Sequence, residues 1–211
     1  MYERPIVMLD FETTGLSPEA GDRITEVAAL RIAGGRVVER FVSLVNCGVR
    51  VPPFITELTG ITQAMVDTAP PADEVVPALI DFIGGDILAA HNASFDDKFL
   101  RAEGARLGHA CRHAGPVCSL KLARRVFPGM DSYKLGRLSR SLGIAFNSRA
   151  HRAEADAEVA AELLLHIGRH LNKSYGLRQV ESDLLLAING LAAAKVHGFV
   201  SRYAGEQRAS A

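Results

Sequence analysis

The apolar positions of the chain recur with two different periods, and these periods predict an alternation of strands and helices. Near the N-terminus, the run PIVMLDF is almost continuously apolar, which is typical of a strand buried on both faces. Two further strands, ITEVAALRI and RVVERFVSLV, flank Ala33, Gly34 and Gly35. These residues predict a tight antiparallel hairpin, because glycine accepts the positive φ of such turns. DILAAHN and VCSL predict a fourth and a short fifth strand.

Helical spacing of apolar residues predicts helices between and after these strands. They are expected around Val75 to Ile83, after Phe95, near Leu135 and from about Ala153 to His170. The stretch from Pro52 to Pro71 is expected to be mainly loop. Strands that alternate with helices, together with one hairpin, indicate an α/β domain with a mixed sheet.

A separate apolar stripe at helical period occupies the C-terminal part of the chain. The stripe comprises Leu184, Ile188, Leu191 and Phe199, with Leu185, Ala192, Val196 and Val200 beside them. We expect this helix to pack back on its own domain, with a homodimer contact or a contact with another protein as the alternatives. Ala204 to Ala211 is expected to form a flexible tail. The predicted division is therefore a main domain, 1–172, and a C-terminal helical extension, 173–211.

Composition excludes several classes of protein. With 211 residues and 48% hydrophobic content, the chain is long enough for one sizeable core, and no apolar run approaches the roughly 18 residues of a membrane span. Because the start also lacks the pattern of a secretory signal, we expect a cytoplasmic protein without membrane contact. Cys47, Cys111 and Cys118 lack metal-type spacing and are expected to be reduced thiols. Neither G-x-G-x-x-G after the first strand nor a P-loop pattern occurs, which argues against a Rossmann-type nucleotide binder.

The formal net charge is zero, so any contact with a polyanion must be local. Lys and Arg total 24, as do Asp and Glu. The segment from Lys121 to Arg152 is locally basic and contains one acid, Asp131. Its cations are Lys121, Arg124, Arg125, Lys134, Arg137, Arg140, Arg149 and Arg152. This segment is either a nucleic-acid contact or a solvated surface.

The segment MLDFETTGL places two acids at the end of the first strand. Residues two apart in a strand point to the same face, so Asp10 and Glu12 project together, about 6 to 7 Å apart. That distance suits shared coordination of a metal pair, although solvated charges at a strand end are the alternative. The turn Thr13-Thr14-Gly15 follows and exposes backbone that a substrate could approach.

Two further segments, HNASFDDKFL and HRAEADAEVA, carry acids near helix starts. Ser94 and Asp97 have the spacing of a capping box, which leaves Asp96 as a candidate ligand or a partner of the helix dipole. Asp156 has the same two interpretations, and His151 lies just before its helix. Glu154 and Glu158 are expected to be solvated, His91 and Asn92 to form local hydrogen bonds, and the remaining histidines to lie on the surface or in packing positions.

Four carboxylates in one site would repel one another unless hard cations such as Mg²⁺ lie between them. Histidine is the side chain whose ordinary pKa lets it accept a proton near neutrality. If the three segments meet in the fold, their residue types therefore suit metal-assisted hydrolysis with a histidine base. Their order and local context point to nuclease chemistry.

Together the three segments resemble the motifs of the DEDDh 3′–5′ exonucleases, the family that includes the proofreading epsilon subunit of bacterial DNA polymerase III. LDFETTGL resembles the first motif, HNASFDDKFL the second, and HRAEADA the third with its His-x-x-x-x-Asp spacing. LTGIT and SYKLGRLSRSLGI extend the similarity to roughly residues 4 to 170. The resemblance implies a ribonuclease H-like fold with a five-stranded mixed sheet flanked by helices.

The resemblance also implies roles for individual residues. Asp10, Glu12 and Asp156 would bind the first of two Mg²⁺ ions, for which Mn²⁺ can substitute, and Asp10 would reach a second ion supported by Asp96. His151 would be the general base. The residues implied to contact the terminal nucleotide are Thr13, Thr14 and Gly15 through backbone groups and Leu58 and Phe95 through packing on bases, with ordinary core packing as the alternative for Phe95.

The implied reaction releases nucleoside 5′-monophosphates from a 3′ end, and three interpretations remain. The favoured substrate is DNA, with single-stranded ends preferred, in proofreading, repair or end trimming. The second is RNA, as in enzymes similar to RNase T or oligoribonuclease, because few contacts read the 2′-hydroxyl. The third is a non-catalytic partner-binding module, which the intact motif residues argue against. The resemblance adds a DNA polymerase subunit as a candidate partner for the C-terminal helix.

Overall fold

The computed structural model describes residues 4–145 and 151–209, which are built around one mixed sheet. Its strands are β1 (Ile6–Thr13), β2 (Ile24–Ala33), β3 (Arg36–Leu44), β4 (Ile87–Ala90) and β5 (Ala114–Cys118), in the order β3-β2-β1-β4-β5. The pairs β1–β2 and β2–β3 are antiparallel, whereas β1–β4 and β4–β5 are parallel. Gly34 and Gly35 have φ of 60° and 79°, as a tight hairpin requires. The predicted mixed sheet and hairpin are confirmed.

Helices cover both faces of the sheet. They are α1 (Pro53–Thr59), α2 (Gln63–Asp67), α3 (Ala72–Ile83), α4 (Ser94–Arg106), α5 (Ser119–Val126), α6 (Leu135–Ser141), α7 (Ala153–Tyr175), α8 (Ser182–Gly190) and α9 (Ala193–Ala209). None of the helices in the described ranges combines the length and apolar content needed to cross a membrane. The three cysteines are free thiols, as expected.

The alternation of side chains along β1 separates two apolar cores. Ile6 and Met8 belong to the core that includes the buried face of α7. Val7, Leu9 and Phe11 belong to the opposite core, which α3 and α4 cover. Because side chains two apart share a face, Asp10 and Glu12 point to the same side as Met8, towards α7. This alternation directs the acids of the first motif towards the helix that carries the third.

The stretch between Pro52 and Pro71 contains two short helices, so the prediction of a mainly irregular loop was wrong. Proline is tolerated at the start of α1, because the first N–H groups of a helix have no partner within it. Thr62 caps α2 by accepting a hydrogen bond from the backbone N–H of Met65 at 3.3 Å. The proline at the start of α1 and the Thr62 cap of α2 are local features that favour a helix. The prolines of this stretch therefore do not prevent helix formation.

The apolar C-terminal stripe forms two helices rather than the single helix expected. The break follows Gly190, where Leu191 adopts an extended backbone with ψ of 154°. The guanidinium of Arg125 donates to the carbonyl of Leu191 at 2.7 and 2.9 Å, and the side chain of Asn189 accepts from the N–H of Cys118 at 3.0 Å. These tertiary contacts hold the end of α8 against α5 and β5.

Helices α8 and α9 pack on the sheet domain itself. Val196, Val200 and Ala204 are buried in the same core as α7. Gln207 accepts from the N–H of Arg178 at 3.0 Å and donates to the carbonyl of residue 179 at 2.9 Å. The flexible tail expected from Ala204 onward is therefore helical to Ala209, while 210–211 lie outside the described residues. Helix α7 continues past residue 172 to Tyr175. The division into a main domain, 1–172, and an extension, 173–211, stays a prediction.

Candidate functional site

The carboxyl ends of β1 and β4 lie at the same edge of the sheet, because the two strands are parallel. β1 brings Asp10 and Glu12 to this edge, and α4, which follows β4, brings Asp96. The Asp96 side chain is 3% exposed, and its Oδ1 accepts the backbone N–H of Phe11 at 3.2 Å. This N–H is free because the pairing of β1 with β4 ends at Met8. The hydrogen bond joins the second motif to the first.

The third motif enters from the first turn of α7. Asp156 lies in that turn, and its Oδ2 accepts the backbone N–H of His151 at 3.0 Å. His151 has φ of 63°, a left-handed conformation that is uncommon for a residue other than glycine. Ligand atoms of Glu12, His151 and Asp156 all lie within 4.8 Å of one another. The structure therefore brings the first and third motifs together, with the imidazole of His151 at the exposed side.

The acids of this site have proton affinities far above their ordinary values. Desolvation raises the pKa of Asp10 well above its usual range, and repulsion from Asp96 and Asp156 adds to it. Desolvation, with repulsion from Asp156 and Glu26, raises the pKa of Glu12 to about 8. Desolvation also raises the pKa of Asp96 to about 8, although its hydrogen bond from Phe11 acts in the opposite direction.

Burial likewise raises the pKa of Asp156, and the N–H of His151 partly opposes that rise. Oxygen ligands at this density suit a hard divalent cation, whose charge would remove the repulsion that raises these pKa values. The carboxylates together with His151 fit a divalent metal site. The fit rests on the donor set and on the 4.8 Å grouping of Glu12, His151 and Asp156.

Two neighbours of the site, Glu26 and Arg152, were not predicted. Glu26 is buried and lies directly opposite Glu12 in the pairing of β1 with β2. Its Oε2 accepts from Arg152 Nε at 3.0 Å and from the backbone N–H of Ala153 at 2.9 Å. Glu26 therefore ties the first turn of α7 to β2. An available signal was that Glu26 is an acid on the strand face that otherwise carries Ala28, Leu30 and Ile32.

The turn after β1 is held by Asp22. Asp22 Oδ2 accepts the N–H of Ser17 at 2.9 Å, and a Cβ added at Gly15 would lie 2.4 Å from the Asp22 carboxylate. Thr13 and Thr14 are buried, and the backbone N–H of Thr14 already donates to the carbonyl of residue 23 at 2.9 Å. Any substrate contact through Thr14 must therefore use a group other than its N–H.

The two apolar residues expected at the substrate differ in their surroundings. Leu58 is 48% exposed on α1, one turn after Phe54, which is 62% exposed. Phe95 is partly buried, and its ring centroid lies 4.9 Å from that of Phe99 in the core under α4. Leu58 is free to contact a base, whereas Phe95 already has a packing function.

The capping box predicted for α4 was wrong. The N-cap is Ala93, and no side chain caps the helix. The Asp97 carboxylate instead accepts from Arg101 Nε at 2.9 Å and lies 2.9 Å from Nε2 of His113. The competing ion pair takes the carboxylate oxygen that a cap would need.

Other polar residues near the site have structural partners. His91 contacts Ser119 Oγ through Nδ1 at 2.9 Å and the carbonyl of Tyr133 through Nε2 at 3.0 Å. These partners are distant in sequence, so the expectation of local bonding was wrong for His91. Glu154 and Glu158 both pair with Arg40 and remain about half-exposed, so they lie apart from the acids of the site.

The fold is that of the ribonuclease H-like exonucleases. Exonuclease X, solved in complex with 5′ overhanging duplex DNA, has a TM-score of 0.68 and 26% identity, over 88% of this chain and 99% of that one. E. coli exonuclease I in complex with a dT13 oligonucleotide has a TM-score of 0.70 over 82% of this chain and 43% of that one. Its 20% identity supports the fold alone.

The chain belongs to the exonuclease family of the RNase T type, whose model matches residues 7–164. It is 36% identical over 177 residues to the DNA polymerase III subunit epsilon of Aquifex aeolicus, covering 84% of this chain and 87% of that protein. It is also 36% identical over 167 residues to the 3′–5′ exonuclease DinG of Bacillus subtilis, covering 79% of this chain. The chain spans 18% of the length of DinG and 12% of a PolC-type polymerase of Clostridium perfringens, to which it is 35% identical.

Proposed function

We propose that this protein is a divalent-metal-dependent 3′–5′ exonuclease that releases nucleoside 5′-monophosphates from DNA. The observation that carries the proposal is the convergence of Asp10 and Glu12 from β1, Asp96 from α4, and His151 and Asp156 from the start of α7. Family membership makes the chain a nuclease. The acids of the site supply the ligands that such a reaction would need.

In the proposed reaction the four acids would hold metal ions, and His151 would transfer a proton. Asp10, Glu12 and Asp156 would hold one divalent cation, and Asp10 with Asp96 would hold a second. Bound Mg²⁺ or Mn²⁺ would lower the pKa of the attacking water and neutralise charge on the leaving oxygen. A ring nitrogen of His151 would accept the proton of the water as its oxygen bonds to phosphorus. The bond from phosphorus to the 3′-oxygen breaks, and that oxygen then takes a proton.

DNA is the substrate that the relatives support, since the epsilon subunit and the PolC-type protein are named as DNA polymerase components. Single-stranded 3′ ends suit the exposed Leu58, because an unpaired base can pack against an apolar side chain. Such a contact tolerates any base. A polymerase partner or a second copy would contact faces of α8 and α9 that are not already buried on the domain. We place the protein in the cytoplasm, where Cys47, Cys111 and Cys118 would stay reduced.

The test is digestion of matched single-stranded DNA, duplex DNA and short RNA, each labelled at the 5′ end, with Mg²⁺, with Mn²⁺ and with EDTA. The wild type should shorten DNA from the 3′ end with either metal and stop in EDTA. Asp10→Ala should abolish cleavage, and His151→Ala should slow it by about 10²- to 10⁴-fold, the usual contribution of a general base.

Glu154→Gln is the matched control, because Glu154 lies in the same first turn of α7 but pairs with Arg40. It should retain the wild-type rate. A failure to shorten any of the substrates would refute the enzyme hypothesis, and full activity of Asp10→Ala would refute the site assignment. Faster cleavage of RNA than of DNA would transfer the proposal to the exoribonuclease alternative.

A further inference from the structure

Five exposed cations on α5 and α6 have no carboxylate partner in the described part of the chain. They are Lys121 and Arg124 of α5, Lys134 at the N-cap of α6, and Arg137 and Arg140 of α6. Many arginines elsewhere, such as Arg23 and Arg152, form ion pairs with acids. We call these five residues the α5–α6 basic surface. In a chain of zero net charge, it is a local concentration of positive charge.

Helical spacing places these cations on common faces. Lys134, Arg137 and Arg140 recur every third residue, and Lys121 and Arg124 have the same spacing, so neighbours within each helix lie about 5 to 6 Å apart. The buried face of α6 carries Leu138 instead.

Arg124 and Tyr133 connect the two helices. The guanidinium carbon of Arg124 lies 5.6 Å from the centre of the Tyr133 ring, and Tyr133 immediately precedes the N-cap of α6. This contact joins the cations of α5 and α6 into one surface.

The α5–α6 basic surface adjoins the edge of the sheet that carries the acids. The ring of His91, directly after β4, contacts Ser119 at the start of α5 and the carbonyl of Tyr133 before α6. The same edge bears Asp10 and Asp96, because β1 and β4 run parallel. A strand whose 3′ end lies at the acids would therefore have cations beside it.

The remaining cations of the basic segment do not belong to this surface. Arg125 donates to the carbonyl of Leu191, and Arg152 pairs with Glu26. Arg149 lies outside the described residues. The described cations of the predicted basic segment thus fall into two groups. Arg125 and Arg152 bond to other parts of the protein, and the other five form the α5–α6 basic surface.

We infer that the α5–α6 basic surface binds the phosphate backbone of the single DNA strand that leads to the 3′ end. The inference rests on the proposed function, because it needs a substrate end at the acids. Cations without acidic partners make salt-dependent phosphate contacts that carry no base preference. The site would accordingly hold several nucleotides of a strand, rather than the terminal one alone.

The test is binding of a fluorescent oligothymidylate of about 16 nucleotides, measured by anisotropy in EDTA across a range of NaCl concentrations. Lys134→Gln/Arg137→Gln removes two charges whose side chains have no hydrogen-bond or ion-pair partner among the described residues. We expect several-fold weaker binding at low salt and a slope of log Kd against log salt that is about 1.4 smaller, at about 0.7 for each lost phosphate contact.

Arg178→Gln/Lys195→Gln is the matched control, since it removes one arginine and one lysine from exposed positions near and in α9. Its slope should equal that of the wild type. An unchanged slope for Lys134→Gln/Arg137→Gln, or an equal loss in the control, would overturn the inference. Because binding is measured without metal, the surface is tested even if no substrate is cleaved, an outcome that would instead refute the proposed function.

Discussion

The carboxylate of Asp96 accepts the backbone N–H of Phe11, the residue between Asp10 and Glu12, at a distance of 3.2 Å. The contact joins positions 85 residues apart and fixes α4 against the end of β1. Asp96 therefore has a structural task, which needs an oxygen, and a proposed metal-binding task, which needs a negative charge. Substitutions can separate the two tasks.

Asp96→Asn should slow cleavage strongly without loss of stability. The amide oxygen can still accept the N–H of Phe11, and the neutral amide avoids the desolvation and the weaker repulsion that raise the pKa of Asp96 to about 8. We expect the metal-free protein to melt no lower than the wild type, while cleavage slows by about 10²-fold or more. Asp96→Ala should instead lose about 1–3 kcal/mol of unfolding free energy, since it leaves a buried N–H unpaired.

Thermal melts in EDTA and digestion rates in Mg²⁺ provide both measurements. Equal melting temperatures for Asp96→Asn and Asp96→Ala would show that the hydrogen bond does not stabilise the fold. An active Asp96→Asn would remove Asp96 from the metal ligands.

The stability of the metal-free protein should fall as the pH rises. The raised pKa values of Asp10, Glu12 and Asp96 mean that the folded protein binds more protons than the unfolded chain between about pH 4 and about pH 8. Stability from these groups is complete below their unfolded pKa values and is lost as the pH passes through the folded ones. Melting temperatures in EDTA should therefore decrease from pH 5 towards about pH 8.5.

Saturating Mg²⁺ should reverse this trend, because cations bind the deprotonated carboxylates and raise the melting temperature most at high pH. Asp10→Asn should flatten the decrease in EDTA, since it removes one titrating acid and one source of repulsion. A metal-free melting temperature that rises over the same pH range would contradict the raised pKa values.

The pairing of Glu26 with Arg152 should stabilise the start of α7 more than a surface ion pair could. Arg152→Ala would leave Glu26 buried beside Glu12 without its cation, and would remove an influence that lowers the pKa of Glu12. We expect lower stability, weaker Mg²⁺ binding and a smaller penalty in the double variant Glu26→Gln/Arg152→Ala than in Arg152→Ala alone.

Arg40→Ala is the matched control, because it breaks exposed pairs with Glu154 and Glu158 on the same helix. It should change the unfolding free energy by no more than about 1 kcal/mol. Melting temperature and titration calorimetry with Mg²⁺ measure the two effects. If Arg40→Ala weakens Mg²⁺ binding as much as Arg152→Ala does, the special position of the Glu26 pair is refuted.

The sequence could predict the mixed sheet and the ordered acids because both depend on local patterns. Alternation along β1 determines that Asp10 and Glu12 share a face, and the hairpin glycines are a local signal. The pairing of Asp97 with His113 depends on how β5 lies beside α4, which no spacing along the chain encodes. The break after Gly190 likewise depends on Arg125, 66 residues away from Leu191. Long-range polar contacts are thus the part that the sequence alone could not supply.

A side chain at position 15, in the turn after β1, would meet Asp22, because a Cβ there would lie 2.4 Å from the Asp22 carboxylate. Asp22 cannot easily move away, since it accepts the N–H of Ser17 at 2.9 Å. Gly15→Ala should therefore displace this turn, lower the unfolding free energy by about 1–3 kcal/mol and reduce kcat/KM. Gly205→Ala is the control: the added methyl meets no atom within 4 Å in α9, so this substitution should be neutral or stabilise the protein by about 0.5–1 kcal/mol.

A double-mutant cycle then identifies the cause of the displacement. Asp22→Ala removes the atoms that the new methyl group would meet, so adding Gly15→Ala to Asp22→Ala should cost much less than adding it to the wild type. Melting temperature and kcat/KM on single-stranded DNA, measured for the four proteins of the cycle, give the coupling. If Gly15→Ala costs the same in both backgrounds, then the Asp22 carboxylate does not exclude a side chain at position 15, and the turn must require glycine for another reason.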